Sequence, residues 1–195
     1  GYFGEYFRRH GAMPAAFSTR HLGGLAGPVF YGNLFYPLLG LPSSVIAPGV
    51  VIRICAVLVF WAEYRLVSQA LVRLQTPRYL ARVVACTVIW AIYPLTNLYN
   101  RSALTEFFAT SLLVCALSLL ILLFYAEDAR QRRRYASGMM FSLTVSAGSH
   151  PITAVYGVQV FVALAALLFW MLRTEKLRRS AILRSMWPWI ALALI

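Results

Sequence analysis

Arg101 and Glu106 stand close together in the run Tyr93-Pro-Leu-Thr-Asn-Leu-Tyr-Asn-Arg-Ser-Ala-Leu-Thr-Glu106, between two long apolar stretches. A guanidinium offers a planar, five-donor fork that matches a phosphate, and a carboxylate nearby can orient that fork or accept from a sugar hydroxyl. Ionisable groups close to a membrane boundary are costly and mark functional sites. The plain alternative is a capped helix start, with Ser102 as N-cap, Glu106 favoured by the helix dipole and Arg101 reaching to headgroups. His150, in Gly148-Ser-His-Pro151, is the second point of chemistry. It can act as general acid or base, or bond a phosphate, and its plain alternative is a packing histidine tied to a helix end.

These residues need elements to hold them, and the apolar runs supply them. Spans are predicted over Val45 to Trp61, Val83 to Leu98, Leu104 to Phe124, Tyr135 to Ser149 and Ile152 to Leu172, with a sixth begun at Met186. Leu104 to Phe124 has the length of a hydrocarbon core, ~31 Å at ~1.5 Å per residue. Tyr135 to Leu172 is too long for one span, and the Gly148 to Pro151 break divides it. The first half is then short, ~22 Å, which would recess His150 in a pocket. Pro94 is expected to kink or end the second span, and its freed carbonyls need a cavity or neighbours.

Composition agrees with a membrane protein. The chain has 195 residues, 61% hydrophobic and only 12% charged, against about 25% charged in soluble domains. This also excludes a disordered chain, which lacks apolar surface to offset ordering entropy. The net charge of +12 comes from 18 basic and 6 acidic residues. Arg65, Arg73, Arg78 and Arg82 fall in one loop region, Arg130 and Arg132 to Arg134 in a second, and Arg173, Lys176, Arg178, Arg179 and Arg184 in a third. Two spans separate each pair of basic loops, as the positive-inside rule requires of cytoplasmic loops. Topology and anionic lipid headgroups therefore explain the charge, and no nucleic acid is needed. The same parity places the N-terminal region, Tyr99 to Ala103 and His150 on the extracytoplasmic side. Glu63, beside Arg65, is expected near the cytoplasmic interface.

The expected architecture is all-α: a polytopic integral membrane bundle of five spans and a truncated sixth, in a fragment of a larger protein. Residues 1–42 form an extracytoplasmic segment rich in aromatics, Gly and Pro, lying on or re-entering the bilayer, and residues 43–195 form the helical domain. In the first segment Tyr31 belongs to a set of aromatics that could wall a substrate groove, and Arg20 and His21 are its polar points. Cys55, Cys86 and Cys115 lie in apolar runs, where a thiol behaves as a small buried hydrophobe. No phosphate loop, nucleophile elbow or metal-ligand spacing stands in the chain. No cofactor is identified, although a divalent metal is compatible with the chemistry.

Two runs, Phe17-Ser-Thr-Arg-His-Leu-Gly-Gly-Leu-Ala-Gly-Pro-Val-Phe-Tyr-Gly-Asn-Leu-Phe-Tyr-Pro-Leu38 and Tyr93 to Ala109, together with Ser149-His150-Pro151, resemble a family of multi-spanning proteins labelled 6-pyruvoyl-tetrahydropterin-synthase-related. The resemblance implies a relative of GT-C-type glycosyltransferases, which take a sugar from a polyisoprenyl-phosphate donor on the extracytoplasmic side. Residue by residue it points to Tyr99, Arg101, Glu106 and His150. Ser102 departs from the family's glycine, and the acidic residue usual in the first outer loop has only Glu5 as a counterpart. Arg101 would bind donor phosphate, Glu106 would orient it and His150 would line the pocket. The catalytic base is unassigned, with His150 and Glu106 as candidates. The expected partners are membrane lipid and a polyisoprenyl-phosphate sugar donor. The rival is a non-catalytic protein: a transporter or flippase of lipid-linked sugars, or a structural assembly factor.

Overall fold

A computed structural model describes residues 2–11, 34–100 and 103–193. The described chain is all-helical, with no strand. Two short helices come first, α1 (Tyr2–His10) and α2 (Phe35–Gly40), followed by a 3-10 turn at Pro42–Ser44. The long helices are α3 (Pro48–Arg73), α4 (Arg78–Ile89), α6 (Leu104–Phe124), α7 (Ala129–Ser149), α8 (Pro151–Met171) and α9 (Lys176–Ala193), with the single turn α5 (Ile92–Leu95) leading into a π-helical turn at Thr96–Asn100.

Helix α6 is apolar on every face, so it must be enclosed. It packs between α3 and α7 and also meets α8. Leu120, Leu123 and Phe124 of α6 form one core with Met139 of α7, Leu168 of α8 and Ile182 of α9. A second, smaller core gathers Phe35, Ala56, Phe107 and Phe108 where α2 and α3 meet the start of α6. Gly157 allows α8 to approach α6, because a Cβ there would sit 2.6 Å from Leu113 Cδ2.

Among the described residues, three segments are long and apolar enough to cross a membrane: Arg78–Tyr99, Leu104–Phe124 and Pro151–Met171. Only 11% of the residues in the most apolar stretch of the first and of the third are buried within the bundle. Val155, Val158, Val162 and Leu167 face outward along α8. Such surface is stable only against lipid or another apolar partner, which accords with a membrane protein.

Several boundaries differ from the hydropathy reading. Helix α3 starts at Pro48 and runs on past Trp61 to Arg73, because nothing between Glu63 and Arg73 opposes a helix. It ends in a turn in which Thr76 N donates to Leu71 O at 3.0 Å, with Gln75 at φ +66° in the left-handed position usually given to glycine. Helix α7 begins at Ala129, not Tyr135, because Asp128 caps it by accepting from Gln131 N at 2.7 Å and draws the arginine run into its first turns. It therefore has 21 residues, ~31 Å, so its length does not recess His150. Helix α9 starts at Lys176, ten residues before the expected span, and contains Pro188. Helix α4 stops at Ile89, with Ala91 extended at ψ 148°. A proline ring clashes with the carbonyl four residues before it, here Trp90, so the helix breaks upstream of Pro94.

Of the N-terminal 42 residues, α1 and α2 are described, with nine and six residues, each far short of the ~20 a span requires. Gly4 of α1 lies against the 3-10 turn, where a Cβ would meet Ser43 O at 2.6 Å. Only Cys115 of the three cysteines is buried, and Cys86 is exposed on the outer side of α4.

Candidate functional site

The start of α6, the end of α7 and α2 converge at one end of the bundle. Ser146 Oγ donates to Ala109 O at 2.8 Å, which holds α6 and α7 antiparallel. Leu34 N donates to Gly148 O at 3.0 Å. Gly148 is needed for that approach, since a Cβ would lie 2.5 Å from the Leu34 side chain. Phe35 packs on Phe108 with ring centroids 5.1 Å apart. Glu106 in the first turn of α6 and His150 at the end of α7 therefore share this end.

Glu106 is held from the interrupted helix before it. Tyr93 Oη donates to Glu106 Oε1, and Thr110 Oγ1 donates to Glu106 O at 2.8 Å. The break at Ala91 makes this contact available by turning Tyr93 off the line of α4. Ser102, the expected cap, lies outside the described residues, and the N-cap position of α6 is Ala103, which makes no side-chain cap bond. Ala103 N donates instead to Asn97 O at 2.8 Å, so the π turn anchors the helix start.

His150 joins two helices. Its backbone is extended at φ −148° and ψ 95°, and its N–H donates to Ser146 O at 3.1 Å to close α7. Its Nδ1 accepts from Thr153 N at 3.3 Å and lies 2.8 Å from Thr153 Oγ1. This is an N-cap for α8 made by an imidazole, with Pro151 at the first helical position, where its missing N–H costs nothing. The histidine is bonded to a helix end, and half-buried.

Beside this end, a groove of about 700 Å³ runs between α3 and the α4–α5 segment. Phe60, Trp61, Trp90, Leu98 and Tyr99 give it apolar and aromatic walls, and among the described residues Arg53 is its one charged lining residue. Along α3 it extends from Ile52 to Tyr64, ~18 Å. Tyr99 is 73% exposed, so its ring can meet a ligand. Glu106 and His150 do not line this groove. Arg53 had a sequence signal of its own, a charge inside an apolar run, which headgroup contact alone also explains.

Glu63 departs from expectation. It is 1% exposed, lies beside Ser111 and Cys115 of α6, and its Oε2 has no hydrogen-bond partner among the described atoms. The cause is register: Ala56, Glu63 and Ala70 recur every seven residues and occupy the buried stripe of α3, so position 63 faces the neighbouring helix rather than water. That spacing was available as a signal.

Arg20, Tyr31 and Arg101 lie outside the described residues. Among the described residues no group of three or more His, Cys, Asp and Glu side chains could hold a metal ion. Comparisons of the chain with protein families, curated proteins and solved structures return no match.

Proposed function

We propose that this chain is the membrane-embedded part of a GT-C-type glycosyltransferase that uses a polyisoprenyl-phosphate sugar donor on the extracytoplasmic face. The observation that carries the reading is the aromatic groove bearing Arg53 and Tyr99, which suits an apolar isoprenoid tail with one cationic contact for its phosphate. Arg101, two residues beyond Tyr99, supplies the second cation. Glu106, oriented by Tyr93, accepts from a sugar hydroxyl, and His150, at the same end of the bundle, lines the pocket for the sugar. The acceptor hydroxyl attacks the anomeric carbon, the new glycosidic bond forms as the bond to the phosphate oxygen breaks, and a protein base takes the hydroxyl proton. In this reading the chain crosses the bilayer five times and begins a sixth span, with its basic loops cytoplasmic.

The test is transfer of radiolabelled sugar from polyisoprenyl-phosphate donors by the purified full-length protein. Turnover by wild type, lost in folded Arg101→Ala and His150→Asn variants, supports the donor site. Absence of turnover with every donor overturns it. A second reading, transport of lipid-linked sugars, is favoured by one observation: the buried carboxylate of Glu63, since ionisable groups within a bundle mark transport paths. Flipping of a labelled lipid-linked sugar in proteoliposomes, abolished by Glu63→Gln, distinguishes it.

A further inference from the structure

The opposite end of the bundle carries a second cavity, of about 540 Å³, in the angle between α3 and α4. Arg65, Arg73, Arg78 and Arg82 all line it, with Tyr64 and Ser68, and among the described residues no acidic side chain does. The Leu74–Pro77 turn that creates this angle is the one with Gln75 at φ +66°. Arg73 is partly neutralised, its Nη1 lying 3.1 Å from Glu127 Oε1.

Arg78 and Arg82 are placed against local electrostatics. Both stand in the first two turns of α4, where the positive end of the helix dipole disfavours a cation. Being four residues apart, they also repel each other. The positive-inside rule requires basic residues in this region but not four around one cavity. Ser68 also borders the cavity, but its Oγ is buried beyond the reach of water, so the guanidinium groups carry the site. Guanidinium forks bind phosphate oxygens in pairs.

We propose that this cavity is a binding site for a phosphate-bearing anion of two or more negative charges, arriving as the headgroup of a membrane lipid or as a soluble diphosphate. Such an anion offsets the dipole penalty and the Arg78–Arg82 repulsion together. Basic pockets between membrane helices on the cytoplasmic side take headgroups of this kind. The inference does not rest on the glycosyl-transfer reading, since the four arginines of this cavity take no part in that site.

The experiment uses purified full-length protein in phosphatidylcholine nanodiscs, with cardiolipin doped into the bilayer or inorganic pyrophosphate added to the buffer. Lipid retention is read by native mass spectrometry and pyrophosphate binding by calorimetry. Arg78→Gln/Arg82→Gln is expected to weaken binding roughly tenfold or more, and Arg82→Lys, which keeps the charge and loses the fork, roughly threefold. Arg133→Gln/Arg134→Gln removes the same charge from the exposed start of α7 and is expected to leave binding within about twofold. Cardiolipin retention without pyrophosphate binding assigns the ligand to a lipid headgroup. Pyrophosphate binding lost in the α4 double variant assigns it to a soluble diphosphate. Binding of neither probe by wild type, or equal weakening in the α7 control, overturns the proposal.

Discussion

The hydroxyl of Tyr93 donates to the Oε1 of Glu106, which ties the interrupted helix before the π turn to the first turn of α6. The contact reaches across the π turn that carries Tyr99, so Glu106 is oriented by the element that precedes that turn.

Removing that donor has a defined consequence in the glycosyl-transfer reading. Tyr93→Phe is expected to lower kcat/KM for sugar transfer roughly tenfold, while stability falls by only about 1 kcal/mol, the worth of one hydrogen bond. Steady-state kinetics with a parallel thermal melt checks this. Unchanged kinetics would remove Glu106 from the site.

His150 caps α8 through Nδ1, and asparagine caps equally well. His150→Ala is expected to cost about 1 kcal/mol and His150→Asn far less. Denaturation of both variants in detergent decides it. Equal losses would mean that the ring packs rather than caps.

Close packing of α8 on α6 depends on Gly157. Gly157→Ala forces the Leu113 side chain to shift, because the added carbon lies 2.6 Å from Leu113 Cδ2, and is expected to cost about 1–3 kcal/mol. Gly49→Ala, where nothing lies within 4 Å, should be neutral or stabilising by up to about 1 kcal/mol. Melting temperatures of the two variants give the comparison, and a harmless Gly157→Ala would contradict the helix approach described.

The carboxylate of Glu63 is buried with one oxygen unpartnered. Charge in such a place costs more than a neutral amide of the same shape. Glu63→Gln is therefore expected to melt at or above the wild-type temperature. A clear loss of stability would show that the carboxylate is held by a hydrogen-bond donor or a cation.

Sidedness has its own test. The Arg73–Glu127 contact at 3.1 Å and the bond from Arg178 to Phe124 O bring the three basic loops together at one end. In a chain whose Cys55, Cys86 and Cys115 are replaced by Ala, Asp128→Cys and Thr174→Cys should react with an impermeant maleimide from the same side, and Tyr99→Cys from the other. Labelling of all three from one side would break the span parity.

Much of the helical frame was legible in the residues. Leu104–Phe124 is helical over the whole predicted run, and Pro151–Met171 falls within a residue of expectation. Uninterrupted apolar runs of membrane length leave the backbone no other way to satisfy its hydrogen bonds. Hydropathy was less informative where polar residues continue a helix, as in α3 beyond Trp61 and in α7 before Tyr135, because backbone bonding continues wherever no cap or proline stops it.

The candidate site divides in the same manner. Arg101, Glu106 and His150 drew attention by being polar between apolar runs, a property of the sequence by itself, as were the helical class, the basic loops and the break at Pro94. The Tyr93–Glu106 bond, the groove bearing Arg53 and the burial of Glu63 were decided only by tertiary structure. Each depends on which face one helix turns to another, and that choice is made by packing of small and aromatic residues from distant parts of the chain: Gly157 on Leu113, Phe35 on Phe108, Ala56 and Ala70 on α6.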